Sequence, residues 1–325
     1  MYRAIFFTEG SQKIGLGHIS RCCALAEAFR RFLKGINVSF IIRGDETGVF
    51  FLKKHGFVSK VFDWQREREK VKILLEKKDL IIVDSYSAPL DFYHFLLDRS
   101  ASLLVLDDFF RLPYPDQAFI LNPMADPDGR KHHLFGLKYL LLRPSFWNIP
   151  KRITSKSIHK ILIIMGGVDN TNFVPYLLDF LDRRYTNLEK IVVVANNKIF
   201  NAKYTKTKFF FSLSDREIFN IMLSCDLAIS AGGQTLYELI RVGLPIISVI
   251  TAKNQILNVK KLEQLNLIWN AGWFDSPKIW DNIICGIEFW YPYVRRKYMA
   301  LIGPRTIDGC GAYRVVKILQ NSLNN

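Results

Sequence analysis

The sequence of 325 residues lacks any apolar run long enough to cross a membrane. A spanning helix needs about 20 consecutive apolar residues, and no stretch approaches that length. The first residues, MYRAIFFTEG, also lack the apolar core of about 7–15 residues that a secretory signal requires. These two absences predict a cytoplasmic protein.

Cysteine is scarce, and its spacing is not that of a metal or disulfide framework. The five cysteines include no C-x-x-C pair, and their number is odd. Common zinc sites and the disulfide networks of small secreted domains both need a more regular pattern. We therefore expect reduced thiols that are mostly buried.

Acidic residues are outnumbered, because 45 Lys and Arg stand against 30 Asp and Glu, a formal net charge of +15. Such an excess attracts anionic partners such as nucleic acid, anionic lipid or a phosphorylated small molecule. No zinc-finger, RNA-recognition or other nucleic-acid signature accompanies the charge, so no nucleic-acid partner is expected. Basic segments such as YVRRKYM (293–299) leave peripheral contact with an anionic membrane as an open expectation.

Apolar runs alternate with helical patterns along the whole chain. The runs are almost continuously apolar, which is typical of parallel strands covered by helices on both faces. Strands are predicted at 4–8, 37–42, 60–62, 79–84, 102–108 and 118–122, then at 160–167, 190–196, 208–212, 226–233 and 245–250. Helices are predicted at 19–33, 90–98, 171–183, 215–223 and 235–242.

A polar and basic segment, PKRITSKSIHK (150–160), separates the two sets of strands. The sequence therefore predicts an α/β protein with two doubly wound, Rossmann-like domains, residues 1–152 and 153–325, the second ending in a C-terminal helix. Ligands of such open sheets bind beyond the carboxyl ends of the strands. Functional residues are therefore expected directly after the strands.

The segment GLGH after the first predicted strand places Gly15, Gly17 and His18 at the start of a helix. The glycines permit a tight turn, and a helix N-terminus disfavours a charged imidazole, so His18 is suited to accept a proton. The alternative is that His18 only caps the helix or packs locally. A dinucleotide site is not expected, because the third glycine of that fingerprint is missing.

The segment SAGGQTLYEL (230–239) places Gly232 and Gly233 between a strand and a helix, which is typical of a phosphate-binding turn. Thr235 is a candidate helix cap. Glu238 could either complete a capping box with Thr235 or bind ribose hydroxyls.

Two further polar or glycine-rich turns follow strands in the second domain. Gly166 and Gly167 end the strand that opens this domain. Asn254 and Gln255 follow a later strand, and their amides could bind sugar hydroxyls or N-acetyl groups, or cap another helix.

Motifs spread over almost the whole chain resemble those of the pseudaminic-acid-pathway UDP-sugar hydrolases and the related spore-coat polysaccharide proteins, within the GT-B superfamily. The matching segments occur in the order of that family. They are IGLGHISRC (14–22), VDSY (83–86), LDD (106–108), YLLLRPSF (139–146), MGGVDNTN (165–172), ISAGGQTLYEL (229–239), GLPIISV (243–249) with KNQ (253–255), and DGCGAYRV (308–315).

The resemblance implies a GT-B fold with two domains facing each other across a cleft. It also implies hydrolysis of UDP-2,4-diacetamido-2,4,6-trideoxy-β-L-altropyranose to UDP and free sugar, by inverting attack of water, without metal or cofactor. By this likeness His18 is the base, Tyr86 acts beside the sugar, and Gly232, Gly233 and Glu238 hold UDP. The other expected substrate-binding residues are Gly15, Gly17, Arg21, Asp84, Gly166, Gly167, Asn254 and Gln255.

The chain also departs from the pattern of that family. Ser87 stands where the family often has glycine, and the segment after LDD is more apolar than usual. Both departures bear on the sugar more than on the fold. We expect a monomer that acts on a small-molecule UDP-sugar. The alternatives are a GT-B glycosyltransferase of surface polysaccharide assembly and a non-catalytic subunit that binds nucleotide sugars.

Overall fold

The computed structural model describes residues 2–11, 15–166, 171–194 and 204–323. It divides into two compact units, residues 1–144 with 309–325, and residues 145–308. Each unit is a parallel sheet with helices between its strands, as predicted from the alternation of apolar runs and helical patterns. Among the described residues, no helix is both long enough and apolar enough to cross a bilayer.

The first unit contains a seven-stranded sheet in the order β3-β2-β1-β4-β5-β6-β7, and every pairing is parallel. Its strands are β1 (Arg3–Gly10), β2 (Asn37–Gly44), β3 (Val58–Val61), β4 (Leu80–Asp84), β5 (Ser102–Leu106), β6 (Phe119–Asn122) and β7 (His133–Phe135). Its helices are α1 (Gly17–Phe32), α2 (Glu46–Lys54), α3 (Arg68–Leu74), α4 (Leu90–Leu97) and α11 (Gly311–Leu323).

The second unit contains a six-stranded parallel sheet in the order β10-β9-β8-β11-β12-β13. Its strands are β8 (Lys160–Ile164), β9 (Glu189–Val194), β10 (Thr207–Phe211), β11 (Leu227–Ala231), β12 (Ile246–Ile250) and β13 (Trp269–Trp273). Its helices are α5 (Phe173–Arg184), α6 (Asp215–Ser224), α7 (Thr235–Arg241), α8 (Ile256–Gln264), α9 (Ile279–Trp290) and α10 (Tyr293–Thr306).

Eleven predicted strands are present within a few residues of their expected positions, whereas β7 and β13 were not predicted. Both of these lie at sheet edges, and neither has the continuous apolar run that marks a strand buried on both faces. The central strands do have it, since every residue of β4, β5, β11 and β12 is buried.

The final helix packs on the first unit, whereas the sequence placed it in the second domain. Residues 309–325 group with the first unit, and the boundary between the units falls at 144/145 instead of 152/153. The Tyr313 ring meets that of Phe32 on α1 with 4.9 Å between centroids, and Arg314 donates to the Lys138 carbonyl at 2.9 Å. Chain order predicted the wrong unit because the apolar face of α11 shows that the helix is packed against something, but does not show which of the two units it packs on.

Gly311 allows α11 to approach the first unit closely. A Cβ atom at this position would lie 2.1 Å from the backbone oxygen of Leu140. We expect Gly311→Ala to lower the free energy of unfolding by about 1–3 kcal/mol, the usual cost of overpacking. Denaturant unfolding measures this, with Gly17→Ala as control because nothing lies within 4 Å of a Cβ there. Equal unfolding free energies for Gly311→Ala and the wild type would contradict the assignment of α11.

Candidate active site

Strand order places the end of β1 beside the end of β4. From β1 the chain proceeds first to β2 and β3 on one side, and then returns to β4 on the other side. The register pairs Thr8 of β1 with Asp84 at the end of β4. In open α/β sheets this reversal of strand order opens a crevice at the carboxyl ends, where ligands bind.

His18 and Arg21 reach this crevice from the first turns of α1. His18 is the second residue of the helix, and Arg21 lies three residues later, so both side chains occupy the same face. Leu16 occupies the N-cap position, and its side chain makes no capping hydrogen bond. The interpretation of His18 as a helix cap is therefore wrong.

Asp84 is fully buried and accepts hydrogen bonds on both carboxylate oxygens. His18 Nδ1 lies 2.6 Å from Oδ1, while Arg21 Nε and Nη2 lie 2.5 Å and 2.7 Å from Oδ2 and Oδ1. Burial favours the neutral acid, but the charges and hydrogen bonds of Arg21 and His18 outweigh it and lower the pKa of Asp84 well below its usual range. Asp84 is therefore a carboxylate under all ordinary conditions.

Asp108 and Tyr86 extend the cluster beyond the buried pair. Arg21 Nη1 donates to Asp108 Oδ2 at 2.6 Å, and the Tyr86 hydroxyl donates to the same oxygen at 2.9 Å. The Tyr86 ring meets the His18 ring edge to face, with 4.3 Å between centroids. Burial, opposed by Arg21 and reinforced by Asp108, raises the pKa of Tyr86 above its usual range, so its hydroxyl stays a donor.

Asp84 and Arg21, both predicted to contact substrate, form an ion pair with each other in the structure. Asp84 has no exposed side-chain surface, and the guanidinium of Arg21 is bonded to Asp84 and Asp108. Because Asp84 is fully enclosed, the prediction that it contacts substrate directly is wrong. The Arg21 side chain keeps 15% of its surface exposed, so its contact with substrate stays a prediction. The sequence suggested single residues, whereas the fold assembles them into a network that fixes the His18 ring.

Gly15 and Gly17, also predicted to contact substrate, flank the start of α1. Gly15 has φ of +82°, in the left-handed region that favours glycine, and Gly17 is the first helical residue. Gly15 thus allows the chain to turn into the helix that carries His18, whereas nothing lies within 4 Å of a Cβ at Gly17.

Sequence reasoning missed a second polar cluster in the first unit, centred on Glu9. Glu9 Oε1 accepts hydrogen bonds from Gln65 Nε2 at 2.7 Å, from Ser87 Oγ at 2.6 Å and from the Ser85 hydroxyl. Arg43 donates to Gln65 and Ser87 at 2.8 Å and 2.9 Å. The signal was available, because Glu9 and Arg43 stand near the ends of β1 and β2 while the other members follow β3 and β4, but no short motif contains them.

The loop after β4 serves both clusters through alternate residues. Asp84 and Tyr86 contact the histidine and arginine of α1, whereas Ser85 and Ser87 contact Glu9. The Ser87 hydroxyl is thus an integral part of the Glu9 cluster.

The second unit repeats the same topological arrangement. Its strand order reverses between β8 and β11, so Gly166 follows one central strand and Gly232 follows its neighbour. Gly166 has φ of +85° and is exposed. Gly167, which was predicted to contact substrate, lies outside the described residues.

The side-chain oxygen of Gln255 holds the turn after β11 in place. Its Oε1 accepts from the Gly232 amide at 3.1 Å and from the Thr251 amide at 2.9 Å. The Gln255 oxygen and the Gly232 amide are thus hydrogen-bonded within the turn, and the sugar contact of Gln255 stays a prediction. Gly233 has open space where a Cβ would stand, and Asn254 is exposed.

The predicted capping role of Thr235 is also wrong. Thr235 is the first residue inside α7, Gln234 precedes it with helical backbone angles, and no side chain caps the helix. The turn stays helical before Thr235, so its hydroxyl does not stand where a cap must. Glu238 lies on this helix with 3% of its surface exposed.

The buried ion pair predicts a large cost for neutralising Asp84. We expect Asp84→Asn to lower the free energy of unfolding by about 3–5 kcal/mol, because Arg21 loses a fully buried partner. The control is Asp91→Asn, which breaks an ion pair with Arg68 whose carboxylate is 66% exposed. Comparable destabilisation of the two variants in denaturant unfolding would show that breaking the buried pair costs no more than breaking an exposed one.

The same carboxylate predicts a dependence of stability on pH. Because the pKa of Asp84 is lower in the folded than in the unfolded chain, its ionised form stabilises the protein above about pH 4. That contribution is lost progressively as the pH falls further towards the folded pKa. The unfolding free energy of the wild type should therefore decline more steeply in acid than that of Asp84→Asn. Parallel pH profiles would contradict the assignment.

The relatives of the chain confirm the resemblance seen in its motifs, although no family model matches it. It is 26% identical over 286 residues to a Helicobacter pylori protein named pseudaminic acid cytidylyltransferase and UDP-2,4-diacetamido-2,4,6-trideoxy-β-L-altropyranose hydrolase, covering 83% of this chain and 48% of that protein. It is 23% identical to the Bacillus subtilis spore coat polysaccharide biosynthesis protein SpsG, covering 97% of both.

An uncharacterized protein of Methanocaldococcus jannaschii is 25% identical over 74% of this chain and 54% of its own length. The chain thus spans about half the length of two of the curated relatives it matches. Among solved structures, Acinetobacter baumannii MurG superposes with a TM-score of 0.68 at 12% identity, over 99% of this chain and 100% of that one.

A spinosyn rhamnosyltransferase complexed with thymidine diphosphate superposes with a TM-score of 0.67 at 13% identity, over 97% of this chain and 100% of that one. At such low sequence identity these superpositions are evidence for the fold alone. The chain has two parallel-sheet units and superposes on these structures over almost its whole length. It therefore has the GT-B fold.

Proposed function

We propose that this protein hydrolyses a UDP-linked diacetamido sugar, with His18 as the base that activates water. The observation that carries the proposal is the 2.6 Å contact between His18 Nδ1 and the buried Asp84 carboxylate. The name of the Helicobacter pylori relative, which includes a UDP-sugar hydrolase, supports the substrate class.

The orientation of the His18 ring follows from its partner. An ionised carboxylate can only accept a hydrogen bond, so Nδ1 carries the proton and Nε2 of the neutral ring has the free lone pair. Water gives a proton to Nε2 as its oxygen bonds to the anomeric carbon. The bond from that carbon to the diphosphate breaks at the same time, and UDP departs with the electron pair.

The surrounding charges fit a base that must gain and then release a proton. Asp84 stabilises the positive charge that His18 acquires, as the ionised aspartate of a catalytic triad does. Arg21 and the N-terminal end of α1 place positive charge close to the same ring. Arg21 is thus a positioning residue that keeps Asp84 ionised and fixed.

In this proposal the second unit binds UDP. The turn of Gly232 and Gly233 follows β11, and a glycine turn allows a diphosphate to approach the backbone. The Gly233 side of the turn is open, whereas the Gly232 amide is held by Gln255. Glu238 is assigned to the ribose and Asn254 to the sugar, from the resemblance of these segments to the family.

Transfer of the sugar to an acceptor is the second candidate function. A spinosyn rhamnosyltransferase and the calicheamicin glycosyltransferase CalG4 have the same fold. GT-B architecture serves both reactions, because water and an acceptor hydroxyl can each be deprotonated by the same base. Release of UDP from the donor in the absence of any acceptor distinguishes hydrolysis, while turnover only with added glycan or lipid indicates transfer.

The base assignment predicts the effect of removing the imidazole. His18→Ala should lower kcat for UDP release by at least about 10²-fold, the usual contribution of general base catalysis, with little change in the Kd for UDP. His94→Ala, an exposed histidine on α4, is the control and should leave kcat unchanged. Normal turnover by His18→Ala would refute the mechanism and favour a non-catalytic binding role.

The ribose assignment predicts a different signature at Glu238. Glu238→Ala should raise the Kd for UDP more than it lowers kcat, because the residue is assigned to binding and not to the proton transfer. Calorimetric titration with UDP measures the Kd, and a stopped assay of free UDP measures kcat. An unchanged Kd would assign Glu238 to the structure of α7 alone.

A further inference from the structure

The outer face of α10 carries an apolar stripe that is exposed to solvent. Tyr291, Val294, Tyr298 and Leu301 are 67%, 75%, 59% and 43% exposed. Val294, Tyr298 and Leu301 are three or four residues apart in α10 and therefore share one side of that helix, while Tyr291 precedes it across the extended Pro292. Single exposed apolar residues are ordinary, but a contiguous stripe marks an interaction surface. These four residues are named the α10 stripe below.

Packing on the opposite side fixes the direction of the α10 stripe. Arg296, Met299 and Gly303 are the buried residues of this helix. The Arg296 guanidinium donates to the backbone oxygens of Ser155 and Lys156 at 3.1 Å and 2.8 Å. The cation of Arg296 is therefore structural, and the stripe lies on the side of the helix that faces away from the second unit.

Positive charge surrounds the α10 stripe. No Asp or Glu occurs between Glu288 and Asp308. Within that span Arg295, Lys297 and Arg305 are exposed, and none forms an ion pair with a carboxylate among the residues the structure describes. At 100° per residue, Arg295 and Lys297 flank the stripe on opposite sides, and Arg305 lies one turn beyond its last member.

We infer that the α10 stripe docks on an anionic membrane surface and lies in the headgroup region. A helix with tyrosine and aliphatic residues in the centre and cations at both margins matches that interface, where apolar groups enter and cations meet lipid phosphates. A second copy of the chain is disfavoured, because a two-fold contact would bring the same unpaired cations together.

Vesicle binding tests this inference directly. The chain is sedimented with phosphatidylcholine vesicles and with vesicles in which roughly one lipid in three is phosphatidylglycerol. We expect binding to the anionic vesicles alone, and binding that weakens as salt is added. The charge variant is Lys297→Gln with Arg305→Gln, which retains Arg295 because that side chain also donates to the Phe289 carbonyl. Its binding should fall by about tenfold or more, since each cation near such a surface contributes roughly fivefold.

A matched variant separates local from overall charge. Arg66→Gln with Lys72→Gln removes two cations beside or on α3, where their side chains are 88% and 55% exposed. This variant has the same net charge as the α10 variant and should bind anionic vesicles as the wild type does. Val294→Ser with Tyr298→Ser should weaken binding while leaving its salt dependence, because it removes apolar contacts only.

Three outcomes would overturn the inference. These are no binding to anionic vesicles, equal losses in the α3 and α10 charge variants, and a change of molar mass in solution when Val294 and Tyr298 become serine. The last result would make the stripe an interface between copies of the chain. Circular dichroism and thermal unfolding show that each variant is folded before it is tested.

Discussion

The candidate site depends on one buried carboxylate at the place where the first sheet reverses its strand order. Asp84 has no exposed side-chain surface, and a charge in that position is tolerated only if it is fully paired. Arg21 supplies the compensating charge and His18 supplies a further hydrogen bond. The requirement to satisfy this carboxylate therefore fixes the ring that we propose as the base.

The two units share the same reversal of strand order, but different types of residue surround it. In each, two neighbouring central strands end side by side, and the chain leaves one of them through glycine. In the first unit this crevice collects ionisable groups, with Asp108 and Tyr86 around the buried pair. In the second, Gln255 ties the turn after β11 through backbone amides. Acid–base chemistry and anion binding are thus proposed for separate units of one chain.

The Glu9 cluster and the α10 stripe show what motif reading overlooks. Glu9 receives hydrogen bonds from residues that follow two other strands, β3 and β4, and each of these residues is unremarkable in its own segment. In the sequence the stripe is part of a basic segment, because a linear sequence does not show that Arg296 is buried while its neighbours face solvent. In both cases the information lies in which residues share a surface, and this depends on packing.

The sequence by itself determined the two parallel α/β sheets, most strand positions and the location of His18 at the start of α1. Continuous apolar runs and glycine turns are local signals, so they can be read from neighbouring residues alone. Tertiary structure alone decided that Asp84 and Arg21 pair with each other, that Gln255 supports Gly232, and that α11 packs on the first unit. These outcomes depend on burial and on contacts between residues distant in the chain, and no local pattern encodes them.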